Sequence, residues 1–372
     1  MLTSIASSVQ ALNPKPSEKT FARALILWYR KQDRKLPWRE RFAATGDPFA
    51  VWVSEIMLQQ TTIQAVLPAY ARFFETFPDI VALAKAEEEE VRLACRGLGY
   101  YRRFRFLHQA AQELVRRDPK GHAWPKDFKT WRELPGIGDY TAAAISSIAF
   151  GYAKGVVDGN VERVLCRLLD LRVVVDASWK RSFQKVVDAL IDPEAPGDFN
   201  QAFMELGQTV CTKQNPDCSR CPLHKVCQAA QNQSQHLAPQ PKPPMAFEDV
   251  SLHLWILEHK GKIGLATRHD EARFLKGSLG FPTAHEGKRG RFTWDSEVTC
   301  EPSPMILGPF RHSITKHKIE AKVHLYKLSK PLPELEWTPH EEVETRLLAN
   351  LDRKAWKLYE KHRTRLDPQL LA

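Results

Sequence analysis

Four cysteines occupy one short polar stretch of the chain, with six, two and five residues between them. Thiolates at such close spacing can all reach one metal centre, and a four-sulfur set suits either zinc or a [4Fe–4S] cluster. Free cysteines do not ordinarily gather in a polar loop, which argues against unrelated buried thiols. The sequence therefore predicts a metal or cluster loop over residues 211–227. Its ligands would be Cys211, Cys218, Cys221 and Cys227.

The three remaining cysteines, Cys95, Cys166 and Cys300, are scattered along the chain, as expected of a reduced protein. The first fifteen residues lack the basic start and apolar core of a secretory signal. No apolar run approaches the roughly 18 residues that a membrane span needs. We therefore expect a cytoplasmic protein with no membrane partner.

A second candidate site is the turn at residues 134–138, Leu-Pro-Gly-Ile-Gly, between two helical patterns. Two glycines one residue apart allow a tight turn of bare backbone, whose N–H groups can face an anion. Pro135 and Gly136 end the first helix, and Asp139 is expected to cap the second. The pattern predicts a helix-hairpin-helix, at about residues 130–150, that binds phosphate through Pro135, Gly136 and Gly138.

The charge balance of the 372-residue chain favours a polyanionic partner. Lysine and arginine number 54 against 44 aspartate and glutamate, which gives a net charge of +10 and a pI near 9.2. Nucleic acid is the usual partner of so basic a protein. A chain of this length also predicts two or three domains, each with its own core.

The elements that must position these residues show two sequence patterns, one helical and one with strands. A flexible tail is predicted at 1–18, and apolar residues then recur every three or four positions, which predicts a helical domain at 19–233. A proline-rich linker is predicted at 234–246. After it, residues 250–257 and 321–326 alternate as strands do, and residues 341–359 look helical. The second domain, at 247–365, is therefore expected to be α+β.

These motifs together resemble the MutY-type adenine DNA glycosylases, a branch of the helix-hairpin-helix superfamily of base-excision glycosylases. The resemblance covers about residues 20–230 closely and the C-terminal domain more loosely. Besides the hairpin and the cysteines, it rests on Leu36-Pro37-Trp38-Arg39, on the run from Trp52 to Thr61, on Gly97-Leu98-Gly99-Tyr100-Tyr101, on Asp158-Gly159-Asn160-Val161 and on Phe199-Asn200-Gln201-Ala202.

The resemblance implies a multidomain protein. Its first part would be an all-α helix-hairpin-helix glycosylase domain in two lobes, with one [4Fe–4S] cluster at the four cysteines. Its second part would be an α+β Nudix-like domain that reads the base opposite adenine, usually 8-oxoguanine. The expected partner is double-stranded DNA with a mispaired adenine, bound by a monomer that is nucleoid-associated in a bacterium.

Excision of adenine needs a general acid with a raised pKa, because the adenine anion is a poor leaving group. Glu55 matches the family's acid, and its apolar neighbours on a helix should raise its pKa. Asp158 is the candidate carboxylate for the positive charge that grows on the sugar, although it could equally cap the next helix. Asn160 would orient Asp158 or a water molecule.

Tyr140 separates two branches of the superfamily. Members related to endonuclease III carry a lysine there, which forms a Schiff base with the sugar. A tyrosine cannot form an imine, so we expect a monofunctional glycosylase without strong strand cleavage.

The resemblance also implies DNA contacts. Because the target base must leave the duplex, some residues should fill the gap and contact the orphan base. Those are Gln59, Gln60, Thr61, Leu98 and Tyr100. Trp38, Arg39 and Gln201 match positions that line the adenine pocket. Arg102 and Arg103 lie on a helix face that either meets phosphates or is simply solvated.

The resemblance weakens in the C-terminal domain. It lacks a Nudix pyrophosphatase box, so no nucleotide hydrolysis is expected there. The family's Phe-Ser-His loop is replaced by Ile314-Thr315-Lys316, which follows His312. Thr315 keeps a hydroxyl for the oxidised guanine, whereas Lys316 favours phosphate contact over stacking. Weaker discrimination of 8-oxoguanine from guanine is therefore expected. Two other functions stay open, a thymine or uracil mismatch glycosylase and a non-catalytic DNA-binding protein.

Overall fold

The computed structural model describes residues 18–32, 34–243, 246–269, 272–285 and 305–366. The predicted tail, except residue 18, and residues 244–245 of the predicted linker lie outside these ranges. The chain divides into two compact units, one within residues 1–91 and 102–243 and the other within 92–101 and 244–372. In their described parts the first unit is helical and the second combines strands with helices, so the predicted fold class is confirmed.

The helices of the first unit begin at well-formed caps. Aspartate or threonine side chains at the starts of six of them accept hydrogen bonds from the otherwise unpaired N–H groups of the first turn, which favours helix formation there. The helices are α1 (Glu18–Gln32), α2 (Pro37–Thr45), α3 (Pro48–Leu58), α4 (Ile63–Thr76), α5 (Ile80–Lys85), α6 (Glu88–Ala94, whose end enters the second unit), α7 (Arg102–Arg117), α8 (Phe128–Arg132), α9 (Asp139–Phe150), α10 (Gly159–Leu168), α11 (Ala177–Leu190), α12 (Pro196–Thr209) and α13 (Gln228–Gln231).

Three of these helices form the centre of the first unit. Every residue of α3 from Pro48 to Met57 is buried, and α9 packs against both α3 and α12. The aromatic rings of Phe21, Phe199 and Phe203 meet edge to face in the core between α1 and α12. This packing places the polar residues of α3, α9 and α12 on neighbouring buried surfaces.

The hairpin before α9 has the tight turn that the sequence predicts. Gly136 has φ of +73°, and a methyl group there would overlap the Phe106 side chain, so only glycine fits. The predicted cap at Asp139 was wrong, because Gly138 holds the N-cap position and Asp139 is the first residue of α9. The Asp139 carboxylate instead pairs with the Arg132 guanidinium across the hairpin.

The second unit is a mixed sheet with two helices. The strand order is β3-β2-β1-β6-β5, with β4 paired to β1 and β7 paired to β2, and the pairing of β1 with β6 is parallel. The predicted single helix at 341–359 was wrong, because the chain breaks between α14 and α15. The elements are β1 (Glu248–His259), β2 (Lys262–Thr267), β3 (Leu279–Gly280), β4 (Thr283–His285), β5 (Met305–Ile314), β6 (His317–Lys327), β7 (Glu336–Pro339), α14 (His340–Arg346) and α15 (Asn350–Leu366).

A buried ion pair holds α15 to the sheet of the second unit. Arg268 donates two hydrogen bonds to Asp352, at 2.6 and 3.1 Å, and the same carboxylate accepts from the Phe281 N–H at 3.0 Å. The stretch 92–101 belongs to this unit too, where the Tyr101 hydroxyl donates to the Leu348 carbonyl at 2.8 Å. No sequence pattern predicted that assignment.

None of the helices in the described ranges has the length and apolar character that a membrane crossing requires.

Candidate active site

A cavity of about 880 Å³ opens in the first unit between α2, α3, α9 and α12. Its size is that of an ordinary small-molecule site. Eight of the residues predicted from the sequence line it, and they come from helices far apart in the chain. They are Trp38, Arg39, Glu55, Thr61, Tyr140, Asp158, Asn160 and Gln201.

Glu55 is a carboxyl group in an apolar wall. It lies on α3 and is 7% exposed, and the Tyr140 hydroxyl donates a hydrogen bond to its Oε2 at 3.0 Å. The pKa of Glu55 is raised to about 7, chiefly by burial; the Tyr140 hydrogen bond and the positive charge of Arg39 oppose the rise, and the negative charge of Asp158 adds to it. The side chain can therefore carry a proton near neutral pH and release it to a base in the cavity.

Tyr140 stands in the first turn of α9 and keeps its proton. Burial and the charges of Glu55 and Asp158 hold the pKa of Tyr140 well above its ordinary value. The hydroxyl also lies 3.3 Å from the Met204 sulfur of α12. A neutral phenol in this place orients Glu55 and offers no nucleophilic nitrogen.

Asp158 is the N-cap of α10 and also faces the cavity. Its Oδ1 accepts hydrogen bonds from the N–H groups of Asn160 and Val161, at 2.9 and 2.8 Å, and its Oδ2 accepts from the Asn160 amide at 2.7 Å. The structural role that the sequence left open is therefore real. It is compatible with chemistry, because Asp158 lines the cavity as well as capping the helix.

The loop that leads to Asp158 is held by one buried amide. Asn200 of α12 accepts from the Val156 N–H at 2.9 Å and donates to the Lys154 carbonyl at 2.9 Å and to the Ser147 hydroxyl at 2.8 Å. The bonds to Val156 and Lys154 fix irregular backbone outside any helix, and the bond to Ser147 anchors the amide to α9. Asn200 thus positions Asp158 without lining the cavity.

Arg163 connects the Asp158 pair to the cysteine loop. It donates to the Asn160 side-chain oxygen at 2.9 Å, to the Gly207 carbonyl at 2.7 Å and to the Cys211 carbonyl at 2.9 Å. Glycine is needed at 207 because a Cβ there would lie 2.6 Å from the Cβ of Asn160. One guanidinium therefore ties α10, α12 and the start of the cysteine loop together.

The four predicted metal ligands line one small cavity, of about 20 Å³. Arg167 donates to the Cys211 sulfur at 3.3 Å and to the Thr212 carbonyl at 2.6 Å. Over the described ranges, no three His, Cys, Asp or Glu side chains stand in metal-binding positions. The donor set nevertheless fits a soft four-sulfur centre, because all four thiols face one cavity beside a cationic side chain. These thiols are Cys211, Cys218, Cys221 and Cys227.

The other thiols have ordinary places. Cys95 and Cys166 are buried, and burial raises the pKa of Cys166 to about 12. Cys300 lies outside the described residues.

Several cavity residues were missed by sequence reasoning. The Arg39 guanidinium donates a hydrogen bond to the Gln201 side-chain oxygen at 3.0 Å. It also forms an ion pair with Glu205, with 2.8 Å between the nitrogen and the carboxylate oxygen, although the angle is not that of a hydrogen bond. It also lies 5.0 Å from the centre of the Tyr29 ring. Glu205 is 2% exposed along its side chain. Its spacing of four from Gln201 on a helix was the signal that could have found it.

The segment after α3 forms a sharp turn. Gln59 donates through its amide to the Thr141 hydroxyl at 3.2 Å, and Gln60 has φ of +53°. Thr61 lines the cavity, but Gln59 and Gln60 do not. Arg103, which the sequence placed on a phosphate-facing or solvated helix face, is instead 8% exposed and contacts this turn. That prediction was wrong for Arg103, because its guanidinium is buried and donates hydrogen bonds to Gln59 and Thr61.

Other predicted DNA contacts are not among the residues that line the cavity. Leu98 and Tyr100 belong to the second unit, where Leu98 is buried and Tyr100 is 54% exposed with φ of +48°. Pro135, Gly136 and Gly138 form the hairpin turn before α9.

The predicted mismatch-reading residues form the tip of the β5–β6 hairpin in the second unit. Thr315 has φ of +51°, and its hydroxyl donates to the Ile314 carbonyl at 2.7 Å. The Lys316 ammonium is 3.9 Å from Glu248. His312 lies on β5, where burial lowers its pKa.

Comparisons with known proteins identify relatives of this chain. Residues 53–189 match the model of the HhH-GPD superfamily of base excision DNA repair proteins. The chain is 45% identical over 221 residues to an adenine DNA glycosylase of Homo sapiens, covering 58% of this chain and 40% of that protein. It is 33% identical over 406 residues to an adenine DNA glycosylase of Mus musculus, covering 92% of this chain and 78% of that protein.

Among solved structures, a thermostable thymine-DNA glycosylase superposes with a TM-score of 0.50 at 26% identity. It covers 58% of this chain and 97% of its own.

Proposed function

This chain belongs to the adenine DNA glycosylase family, and from that membership we propose that it hydrolyses the N-glycosidic bond of adenine mispaired with 8-oxoguanine or guanine, leaving an abasic site. The observation that carries the proposal is a pair of unlike carboxyl groups in one cavity. Glu55 has a pKa near 7 in an apolar wall, whereas Asp158 accepts three hydrogen bonds. Environments that separate two carboxyls in this way set up an acid and an anion at one site.

The first step is protonation of the base. Glu55 gives its proton to N7 of the flipped adenine, so the base leaves as a neutral molecule rather than an anion. The bond between C1′ and N9 breaks, and its electron pair goes to the adenine ring. Tyr140 holds the Glu55 carboxyl in place through its 3.0 Å hydrogen bond.

The second step handles the positive charge left on the sugar. The Asp158 carboxylate faces C1′ and stabilises the oxocarbenium ion, held by Asn160 at 2.7 Å. Water then adds its oxygen to C1′, and the Glu55 carboxylate takes up the released proton. The sum is hydrolysis, with Glu55 and Asp158 returned to their starting states.

Recognition of adenine is assigned to three other residues that line the cavity. They are Trp38 and the Arg39–Gln201 pair. The planar amide and guanidinium present donors and an acceptor to the edge of a base, and the indole presents an apolar face. The ion pair with Glu205 keeps Arg39 from turning into solvent.

Access to the cavity requires a duplex from which the adenine has been extruded. Gln59, Gln60, Thr61, Leu98 and Tyr100 are proposed to fill the gap and contact the orphan base. The hairpin N–H groups after Pro135, at Gly136 and Gly138, are proposed to bind a phosphate. The protein acts as a monomer on double-stranded DNA, and its net charge of +10 makes binding salt-sensitive.

Cys211, Cys218, Cys221 and Cys227 are proposed to hold one [4Fe–4S] cluster. Bound there, the cluster cross-links the loop and contributes to its folding, as metal centres do in small loops. Arg167 supports the loop by donating to the Cys211 sulfur and to the Thr212 carbonyl. A cationic donor beside a thiolate set reduces its negative charge.

The second unit is proposed to read the base opposite adenine as a Nudix-like domain, through His312, Thr315 and Lys316. The support is the exposed hairpin tip that carries Thr315 and Lys316. Because Lys316 offers a point charge instead of a ring, discrimination of 8-oxoguanine from guanine should be modest.

The test is single-turnover base release from duplexes with adenine opposite 8-oxoguanine, adenine opposite guanine, and thymine opposite guanine. Strand cleavage is measured with and without alkali. Release of adenine with cleavage only after alkali is expected. Release of thymine would assign the protein to another branch, and no release from any duplex would overturn the proposal.

A further inference from the structure

The turn after α3 depends on one buried arginine of another helix. Arg103, in the first turn of α7, donates one hydrogen bond to the Gln59 carbonyl and another to the Thr61 hydroxyl, the latter at 3.2 Å. The side chain is 8% exposed, and its guanidinium lies 4.7 Å from the centre of the Phe104 ring. Burying a charge of this kind is costly unless well-placed hydrogen bonds compensate for the lost hydration.

The turn is weakly bonded within its own backbone, although the Gln59 amide also donates to the Thr141 hydroxyl. Its own backbone hydrogen bonds, from Gln59 to Ile56 and from Thr61 to Leu58, are both long at 3.4 Å. Gln60 between them occupies the left-handed region, which is unfavourable for a residue with a Cβ. A strained residue persists only where its surroundings over-determine it. Arg103 donates one charge-assisted hydrogen bond to the residue on each side of Gln60, and these two bonds help to hold Gln60 in its strained conformation.

We propose that Arg103 is a positioning residue for base extrusion, which sets the Gln59–Thr61 turn in the shape that fills the duplex when adenine leaves. The inference rests on the proposed function, since it assigns a task to the turn within adenine excision. Arg103 touches neither substrate nor the reacting atoms, so it acts only through Gln59 and Thr61. The same turn follows Glu55 by one helical turn, which couples its shape to the acid's position.

Lysine cannot replace Arg103 fully. A guanidinium reaches two acceptors with fixed geometry, whereas an ammonium is a single point donor on a flexible stem. Arg116 provides a control on the same helix, because its side chain is exposed and pairs only on the surface, with Glu113 at 2.8 Å. Arg116→Met removes a positive charge from α7 but no contact to the turn.

The experiment compares Arg103→Met, Arg103→Lys and Arg116→Met with the full-length wild type. One readout is the single-turnover rate on adenine opposite 8-oxoguanine at saturating enzyme, normalised to the active fraction. The other is the fluorescence rise of 2-aminopurine placed beside a non-hydrolysable 2′-fluoro analogue of the target nucleotide, which reports unstacking. Thermal melting identifies the temperature at which each variant is folded.

Arg103→Met should lower the rate by about 100-fold, the effect of misplacing a positioning group by about 1 Å, and should abolish the fluorescence rise. Arg103→Lys should fall between it and the wild type, and Arg116→Met should stay within about twofold of wild type. If Arg103→Met does not fold, the partial loss in Arg103→Lys decides the matter.

An unchanged rate, or a lowered rate with an unchanged fluorescence rise, would overturn the positioning role. A wild type that extrudes the base but releases no adenine would instead count against the proposed function.

Discussion

The cavity around Glu55 and the hairpin tip at Thr315 hold their polar side chains in opposite ways. In the cavity, Glu55 and Asp158 each accept hydrogen bonds from named partners and lie against packed helices. At the tip, the Thr315 hydroxyl contacts, among the described residues, only groups of the hairpin itself, the Ile314 carbonyl at 2.7 Å and His317 Nδ1 at 3.4 Å, and Lys316 is half exposed. Both regions carry residues proposed to meet the same DNA.

The contrast follows from what each region has to do. Bond breaking needs groups whose protonation and orientation are set before the substrate arrives, which requires burial and partners. Reading an approaching base needs groups that can exchange their present contacts for new ones. Substitutions should therefore act strongly and specifically in the cavity, and weakly at the tip.

The largest effect is expected for Asp158→Asn. Asparagine caps a helix as well as aspartate does, so folding should be unchanged, while the loss of the negative charge should lower excision by at least about 1,000-fold. Single-turnover kinetics and a binding titration on the same adenine–8-oxoguanine duplex check this. Excision at the wild-type rate would show that the buried carboxylate is not needed, and would contradict the expectation of strong effects in the cavity.

Glu55→Gln should lower excision by about 100- to 1,000-fold, because the amide cannot give a proton to adenine. In the wild type, the rate should fall as the pH rises through about 7, where the acid form is lost. The variant's remaining rate should lack that fall. Rate profiles from pH 5.5 to 9 on both proteins test the assignment.

The same variant should also change stability with a definite sign. The folded pKa of Glu55, about 7, lies above its ordinary 4.5, so its favourable contribution is complete below pH 4.5 and lost as the pH rises through 7. Glu55→Gln should therefore be more stable than wild type above pH 7, by roughly 1–3 kcal/mol. Equal melting temperatures at pH 6 and pH 8.5 in both proteins would contradict it.

A pair of charge removals compares the two regions directly. Arg39→Met leaves the Glu205 carboxylate buried without its cation, and should cost about 3 kcal/mol, or a fall of more than about 5 °C in Tm. Lys316→Met removes an exposed charge 3.9 Å from Glu248 and should shift Tm by less than about 1 °C. Equal shifts would remove the distinction between the regions.

The smallest effect is expected for Lys316→His. A ring at the hairpin tip should raise the ratio of excision rates opposite 8-oxoguanine and guanine by about fivefold, the size of one contact of ~1 kcal/mol. The rate opposite guanine alone should change little. A ratio equal to that of wild type would mean that position 316 does not contact the opposite base.

Sequence reasoning succeeded where a residue's task is written in its local run. The Pro135–Gly138 turn, the helical core and the strands of the second unit all follow from spacing and residue type. It failed where the partner lies far along the chain. The sequence around Arg103 does not indicate that its guanidinium reaches Gln59 and Thr61. The sequence around Glu205 likewise does not indicate its ion pair with Arg39.

The second helix of the C-terminal unit shows the same limit from another side. The apolar spacing at 341–359 continues without interruption, yet the chain turns between α14 and α15 and buries Leu347 and Leu348 there. The first helix ends where these two leucines become buried, and helix propensity alone does not predict that end. Tertiary packing therefore decides that boundary.

The bond between Tyr101 and Leu348 has a consequence for the order in which the protein is made. Its partners are 247 positions apart, so at about 5–20 residues per second the ribosome delivers Leu348 roughly 10–50 s after Tyr101. The helices on both sides of residues 92–101 can assemble during that interval. The segment that carries Leu98 and Tyr100 therefore reaches its final contacts only after residue 348 has been synthesised.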